Sequence, residues 1–412
     1  MDQRIANYIL EYLFQRVEPV DWKFDYTNRC LNLSDHQVIL PDIERTGTPI
    51  KKEILGHSVT FYRAIDQVSI ESKNDAIHLT FDIIGEVYDH LTLARENDPA
   101  FDPSDDEVFL PVLDMKIHFF FGLLKTRIKG IRYRKYGEKS FVLCLSHDID
   151  RTGDSWKYRV ITHLFQSIKQ KRPRLLFEGL FTSNKEANFE HILEREQEYN
   201  AKATWFVLTR YGLKKNADYH LKDKVFQKGF NLIREAGHEI GLHVPFVDLN
   251  VESIKREKEK ITGVSVKGAR MHHLRGKYEE VVAILSGAGL IYDSTFGFNW
   301  NMAYRFGTSV PFHPLLGPEI YDGFYEVPMN IMDFQIMDLN DFKNNIQRIF
   351  SLLEQLHGVY VANWHNNRFN QVKYGNIWRE SFDILLEEAK KHGALITTIG
   401  DVVEIIKQRN IS

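Results

Sequence analysis

The sequence predicts an α/β protein: a distorted barrel of seven or eight parallel strands with intervening helices, preceded by a smaller α+β domain. Three observations carry this. From about residue 138 short apolar runs alternate with helical stretches, the rhythm of α/β architecture. Residues able to do chemistry stand directly after those runs, as they would at the carboxyl-terminal mouth of a barrel. The chain has 412 residues, more than one compact core of up to about 250 usually organises. The expected division is 1–137 for the leading domain and 138–412 for the barrel.

The elements follow in order. The first ten residues read as the start of an amphipathic helix; charge interrupts them and no cleavage site follows an apolar core, so no secretory signal is expected. Up to about residue 124, strand-like pieces such as 58–62 mix with helix-like stretches at 76–94 and 115–124. An acidic, proline-bearing loop, 97–106, separates the last two. A basic stretch follows at 125–139, in which Arg127, Lys129, Arg132, Arg134 and Lys135 interleave with Tyr133 and Tyr136; it reads as a solvated linker, with a phosphate-binding surface as the alternative. In the barrel region strands are expected at 141–145, 203–208, 239–243, 268–272, 291–294, 325–328, 359–364 and 395–398. Helices are expected at 190–199, 225–236, 253–261, 278–288, 339–357 and 378–391.

Composition narrows the function classes. With 53 basic against 56 acidic residues the net charge is −3, which implies neither nucleic acid nor an anionic membrane as partner. The two cysteines, Cys30 and Cys144, lie in separate segments and do not suggest a disulfide framework. No stretch approaches the roughly 20 apolar residues of a membrane span. A cytoplasmic protein without a membrane span is expected; the oligomeric state is not legible.

The segment Ser146-His147-Asp148-Ile149-Asp150 closes an apolar strand. Side chains at i and i+2 of a strand share a face about 6.5–7 Å apart, so Asp148 and Asp150 can look into one cavity, one holding a cation while the other takes a proton from water. Other chemistry-bearing residues also follow strands: His243, Arg270 with His272, Asp293 and His365. The run His238-Glu239-Ile240-Gly241-Leu242-His243 superficially suggests the zinc-protease pattern His-Glu-x-x-His, but its histidines are five apart. On a helix that sets them about 140° apart, and on a strand on opposite faces. His243, at the strand end, is therefore the site residue and His238 a turn residue.

Motif by motif, these residues resemble the metal-dependent polysaccharide deacetylases of carbohydrate esterase family four. In 146–150 the resemblance implies Asp148 as catalytic base and Asp150 as metal ligand; in 237–243 it implies His243 as ligand. Arg270 matches an arginine that steadies the base, and Asn363-Trp364-His365-Asn366 matches the segment whose histidine is the general acid. The resemblance extends to a divergent bacterial branch with an extra amino-terminal domain of undefined role, through 270–275, 293–298, 305–312 and Asp82-Ile83-Ile84-Gly85-Glu86. One departure stands out: four residues after His243, where the family has its second histidine ligand, is Val247. His272 is the best replacement, with hydrogen-bonded support of the site as its alternative; His273 alternates to the other face.

The expected activity is removal of acetyl groups from N-acetylated sugars or polysaccharide precursors, using a divalent metal, most simply zinc, held by Asp150, His243 and His272, with Asp148, Arg270 and His365 catalytic. The partner implied is a carbohydrate. Val247 motivates one rival, a catalytically impaired glycan-binding or scaffold protein, and the same framework permits another, a hydrolase of a different C–N amide. Plainer roles also exist for single residues: Arg270 pairing with a surface acid, His365 serving structure, Asp293 capping a turn, Asp333 lying in a loop. Trp300, Tyr304 and Phe312 could stack on a sugar or pack a loop.

Overall fold

The computed structural model describes residues 1–411 except 46–48, 98–100, 102–105, 154–163, 165–166, 169–170, 175–186, 213–214 and 370–375. The acidic loop at 97–106 thus falls almost wholly outside the described residues.

An acidic cap starts the first helix, α1 (Gln3–Phe14), where Asp2 accepts from the Ile5 N–H; its apolar positions, among them Ile5, Ile9 and Leu13, are buried. Strands β1 (Trp22–Asp25), β2 (Cys30–Leu33), β3 (His36–Ile39), β6 (Ile70–Lys73) and β7 (Ala76–Leu79) form a sheet in the order β1-β2-β3-β7-β6, while β4 (Ile50–Ile54) and β5 (His57–Phe61) make a separate hairpin. Helices α2 (Ile83–Leu91) and α3 (Val112–Lys125) complete the segment. The expected helix at 76–94 is therefore corrected: its first residues are β7, and the Asp82 carboxylate accepts from the Gly85 N–H at 3.0 Å to start α2 afresh.

Beyond residue 138 the structure is a distorted parallel β/α barrel. Its strands are β8 (Val142–Ile149), β9 (Thr204–Leu208), β10 (Glu239–Val244), β11 (Gly268–Met271), β12 (Tyr292–Asp293), β15 (Tyr325–Glu326), β16 (Ile331–Met332), β17 (Val359–Asn363) and β18 (Leu395–Thr397), with a small hairpin, β13 (Leu315–Leu316) and β14 (Glu319–Ile320), inserted. They pair in the order β15-β12-β11-β10-β9-β8-β17-β16, with β18 also on β8, and every barrel pairing is parallel. Outside run α4 (Phe189–Glu198), α5 (Lys224–Glu235), α6 (Val251–Glu259), α7 (Tyr278–Gly287), α8 (Leu339–Leu356) and α9 (Ile377–Lys391), followed by the last helix, α10 (Ile399–Ile411). Among these described residues no helix is long and apolar enough to cross a membrane.

Alternation along the strands sorts two cores. Val142, Cys144, Phe206, Tyr292, Val327 and Val361 belong to one apolar cluster together with Ile399, Val402 and Ile406 of α10. Leu143, Leu145, Ile149, Val207, Leu242 and Met271 alternate with them and join the larger cluster of the surrounding helices, which also contains Ile9, Leu13 and Phe121 from the amino-terminal segment. The first cluster stacks large rings against glycine: a Cβ on Gly268 would stand 1.9 Å from Cζ of Tyr292, and one on Gly241 2.6 Å from the Phe206 ring. That ring filling is the floor under the polar groups described next.

Candidate metal centre

β8 runs four residues further than its apolar stretch, so Asp148 lies inside the strand and Asp150 just past its end. The turn after it is tied down by Asp218, whose carboxylate accepts from the N–H groups of Thr152 and Gly153 at 2.8 and 3.1 Å. In register, Asp148 stands beside Phe206, and His243 beside Arg270. The i, i+2 relation then aims Asp148 and Asp150 at the same space as His243 of β10 and Arg270 of β11.

Asp148 is buried, and both its oxygens are engaged. Oδ1 accepts from Nη1 of Arg270 at 3.0 Å, and Oδ2 from Nδ2 of Asn363 at 2.9 Å. Arg270 is itself fully buried; it also donates to the Ser146 hydroxyl, the Ser294 carbonyl and the Ser294 hydroxyl, with its guanidinium 4.4 Å from the Phe206 ring centre. The surface-acid role for Arg270 is thereby excluded. Burial pushes the Asp148 carboxyl up, but His243, Arg270 and His365 outweigh it and hold the group below the usual carboxylate range.

Asp150, His243 and His272 come together: one potential ligand atom from each lies within 4.8 Å of the others. The Nε2 atoms of His243 and His272 are each 3.6 Å from Oδ1 of Asp150. Each ring donates through Nδ1 to a backbone carbonyl, His243 to Arg270 at 3.0 Å and His272 to Lys215 at 3.1 Å. This fixes the tautomer with a bare lone pair on both Nε2 atoms, the arrangement seen around metal-bound imidazoles. Asp150 Oδ1 is buried and accepts no hydrogen bond among the described residues. Burial, opposed by Asp148 and aided by His272, brings His243 down to about 4, so it is neutral at ordinary pH. Two ligands about 2.0–2.2 Å from a tetrahedral zinc stand roughly 3.4 Å apart, close to the 3.6 Å that separates Asp150 from each histidine. The donor set therefore fits a divalent cation with borderline-soft preference.

His365 follows β17, and its Nε2 is 3.8 Å from Oδ2 of Asp148 and 3.9 Å from Oδ2 of Asp150. Its backbone N–H donates to Asp333 at 2.6 Å and its Nδ1 to the same carboxylate at 3.1 Å. Burial lowers its pKa, but Asp333 more than offsets this, aided by Asp150 and Asp148, and raises it to about 9.

Several sequence expectations are met or corrected by this geometry. Asp333 does more than lie in a loop: its carboxylate accepts from the His365 N–H and Nδ1. Asn363 was missed as a functional residue, although it opens the Asn363-Trp364-His365-Asn366 segment and points inward one i, i+2 step before His365. His272 is not in the strand: β11 ends at Met271, and His272 begins a short 3-10 turn. His273 takes φ 61°, so strand alternation does not apply, and its ring lies 4.2 Å from that of His272 instead of on the far side. His238 accepts from the Ala203 N–H at 3.0 Å, as a turn residue. Asp293 points to the outer face, where its Oδ1 accepts from the Thr295 hydroxyl at 2.5 Å. Tyr304 and Phe312 are both 1 % exposed and pack on Tyr360 and Phe306, so neither forms a sugar wall here; Trp300 is 61 % exposed.

No protein-family model matches the chain, and no curated protein is similar to it. Among solved structures it is similar to a protein assigned to the polysaccharide deacetylases from Mycobacterium smegmatis, at 13 % identity over 67 % of this chain and 93 % of that one, with a TM-score of 0.44. It is also similar to the allantoinase Puue, at 14 % identity over 65 % and 91 % with a TM-score of 0.44. A third is the peptidoglycan deacetylase PdaC from Bacillus subtilis, at 13 % identity over 65 % and 93 % with a TM-score of 0.32.

Proposed function

We propose that the chain is a metal-dependent amide hydrolase that releases acetyl groups from N-acetylated sugars or polysaccharide precursors. The observation that carries the reading is the buried, unsatisfied Asp150 Oδ1 facing two imidazole nitrogens whose lone pairs are fixed toward it. Asp150, His243 and His272 would hold zinc, which when bound polarises an amide carbonyl and lowers the pKa of water towards about 7. His272 supplies the third protein ligand that Val247 cannot, and this weighs against an impaired scaffold.

Asp148 accepts the proton of the attacking water. It is suited to this because Arg270 keeps it ionised and, with Asn363, fixes its plane, while each oxygen retains a free lone pair beyond the one bond it accepts. His365, held protonated by Asp333, donates from Nε2 to the departing nitrogen, which leaves as a neutral amine. The products are acetate and an amino sugar.

The test measures acetate release from N-acetylated oligosaccharides by protein stripped with a chelator and reloaded with zinc, alongside metal content. Activity should vanish on stripping and return with one equivalent, and Asp150→Ala should lose both metal and activity. A protein that holds no metal, or one that ignores acetylated sugars while cleaving another amide in a substrate panel, overturns the proposal.

A further inference from the structure

The peptide group that joins Trp364 to His365 is held from both sides. Its N–H donates to Oδ2 of Asp333 at 2.6 Å, and its carbonyl accepts from Nδ1 of His147 at 2.8 Å. The C=O and N–H of a trans peptide share one plane and point in opposite directions. Two bonds on them therefore fix that plane, and with it the direction in which the His365 side chain leaves the backbone. Strand pairing does not reach this far: β17 ends at Asn363, the partner of Ser146 in register, and the Trp364 N–H donates to the Ser146 carbonyl at 3.0 Å. The His147 imidazole takes over where the ladder stops.

Alternation gives His147 its aim. Standing between Ser146 and Asp148 in β8, it points away from the face of Asp148, toward α4 and α9. There it is wholly buried, its ring centre 4.3 Å from that of Trp205 and 5.7 Å from that of Phe382. Its Nε2 lies 2.9 Å from Oε1 of Glu196 in α4, which is buried as completely. A carbonyl only accepts, so Nδ1 carries a hydrogen; Nε2 faces a carboxyl group, so a second proton lies between that pair. The ring is thus locked with a donor directed at the Trp364 carbonyl. Donation to the C=O end of a peptide polarises it and strengthens its N–H as a donor, here the N–H given to Asp333. The same helix grips the segment again, because Asn188 at its head donates from Nδ2 to the Asn366 carbonyl at 2.8 Å.

We infer that His147, oriented by Glu196, is a positioning residue for His365: it holds the Trp364–His365 peptide so that the imidazole beyond it faces the cleft shared with Asp148 and Asp150. Its consequence for rate rests on the hydrolytic reading, whereas the clamp on the peptide is a property of the chain by itself.

Two substitutions separate positioning from packing. In His147→Asn the side-chain amide nitrogen stands where Nδ1 was, and in His147→Gln where Nε2 was. Each leaves one buried acceptor unpaired, but only His147→Gln releases the Trp364 carbonyl. In zinc-loaded full-length protein, His147→Gln should lower kcat for acetate release from tetra-N-acetylchitotetraose at least about tenfold, a fraction of what a placed proton donor contributes. KM and bound zinc should be nearly unchanged, and His147→Asn, which keeps the bond, should retain most of the rate. Hydrolysis of 4-nitrophenyl acetate, whose leaving group departs as an anion without needing a proton, should be alike in all three proteins. In the absence of substrate, hydrogen exchange of the peptide covering residues 364–368 should quicken in His147→Gln and not in His147→Asn.

Where Glu196 left without its partner prevents folding, the same two variants are compared in the Glu196→Gln background, which removes the buried charge. Equal loss of kcat in the two variants, equal loss on ester and amide, or unchanged exchange in His147→Gln overturns the inference. A wild type that releases no acetate while the exchange difference stands overturns the hydrolytic reading alone.

Discussion

Arg270 is the residue on which the site's charge balance turns. It gives Asp148 one bond of 3.0 Å and anchors its other donors on Ser146 and Ser294, so it positions the base without reaching substrate. Arg270→Gln should lower kcat at least about tenfold, the scale of one lost charge-assisted interaction of about 1.5–3 kcal/mol, with a much smaller change in KM. Added guanidinium should restore part of the rate, which a merely misfolded variant would not show; an unchanged kcat would remove Arg270 from the mechanism. The residues with most of this chemistry were legible because they follow apolar runs at strand spacing. Asn363 was not, since an amide before a tryptophan reads as the polar end of a strand, and only its pairing across from Ser146 reveals that it faces Asp148. His272 was legible as a candidate but not as a ligand, because its aim depends on the turn that begins after Met271 and on the Lys215 carbonyl, 57 positions away in sequence.

At the level of strands and helices, two features invite direct tests. The first is close packing inside the barrel. Gly268→Ala would drive a methyl group to within 1.9 Å of the Tyr292 ring, and overpacking of this kind costs about 1–3 kcal/mol; denaturant unfolding should show a lowered midpoint with unchanged slope, and an unaltered midpoint would mean the ring has room to move. The second is the outward pair Asp293 and Glu326, neighbours in register on β12 and β15 and both wholly buried. Burial raises both carboxyls, and the charge of Asp293 raises Glu326 further. Because their folded values lie above their unfolded ones, their stabilising contribution is complete below the ordinary carboxylate range of about 4 and is lost as pH climbs through the raised values. The melting temperature of the wild type should accordingly fall, relative to Asp293→Asn/Glu326→Gln, as pH rises from about 4 towards neutrality; parallel curves for the two proteins would refute the shift. Elements with one clean period were readable from sequence, as α8 and β10 show. The strand β7 was not: Ala76-Ile77-His78-Leu79 merges in pattern with the helix that follows, and the cap at Asp82 is the only local punctuation between them.

For the molecule as a whole, the sequence suggested two units dividing near residue 137, and the packing bears on how they unfold. One apolar cluster contains Ile9, Leu13 and Phe121 together with Leu145, Val207 and Phe350. Asp114 of α3 pairs with Arg16 of its own segment at 2.8 Å and, across the boundary, accepts from the Thr308 hydroxyl at 2.6 Å and the Ser309 N–H at 2.7 Å. Arg16 is 6 % exposed, so removing Asp114 takes the carboxylate from a guanidinium held away from water as well as from three donors of the barrel segment, the Thr308 hydroxyl and the N–H and hydroxyl of Ser309. Breaking a buried pair from one side costs about 3–5 kcal/mol, and an interface sharing its core with both segments cannot loosen in one of them alone. Calorimetry of the intact chain should therefore show a single unfolding transition, and Asp114→Ala should move all of it to lower temperature while hydrogen-exchange protection declines in α1 and in β8 alike. Two resolved transitions, with the substitution displacing only the one that reports α1, would establish that the segments fold independently and that the buried pair serves the first of them.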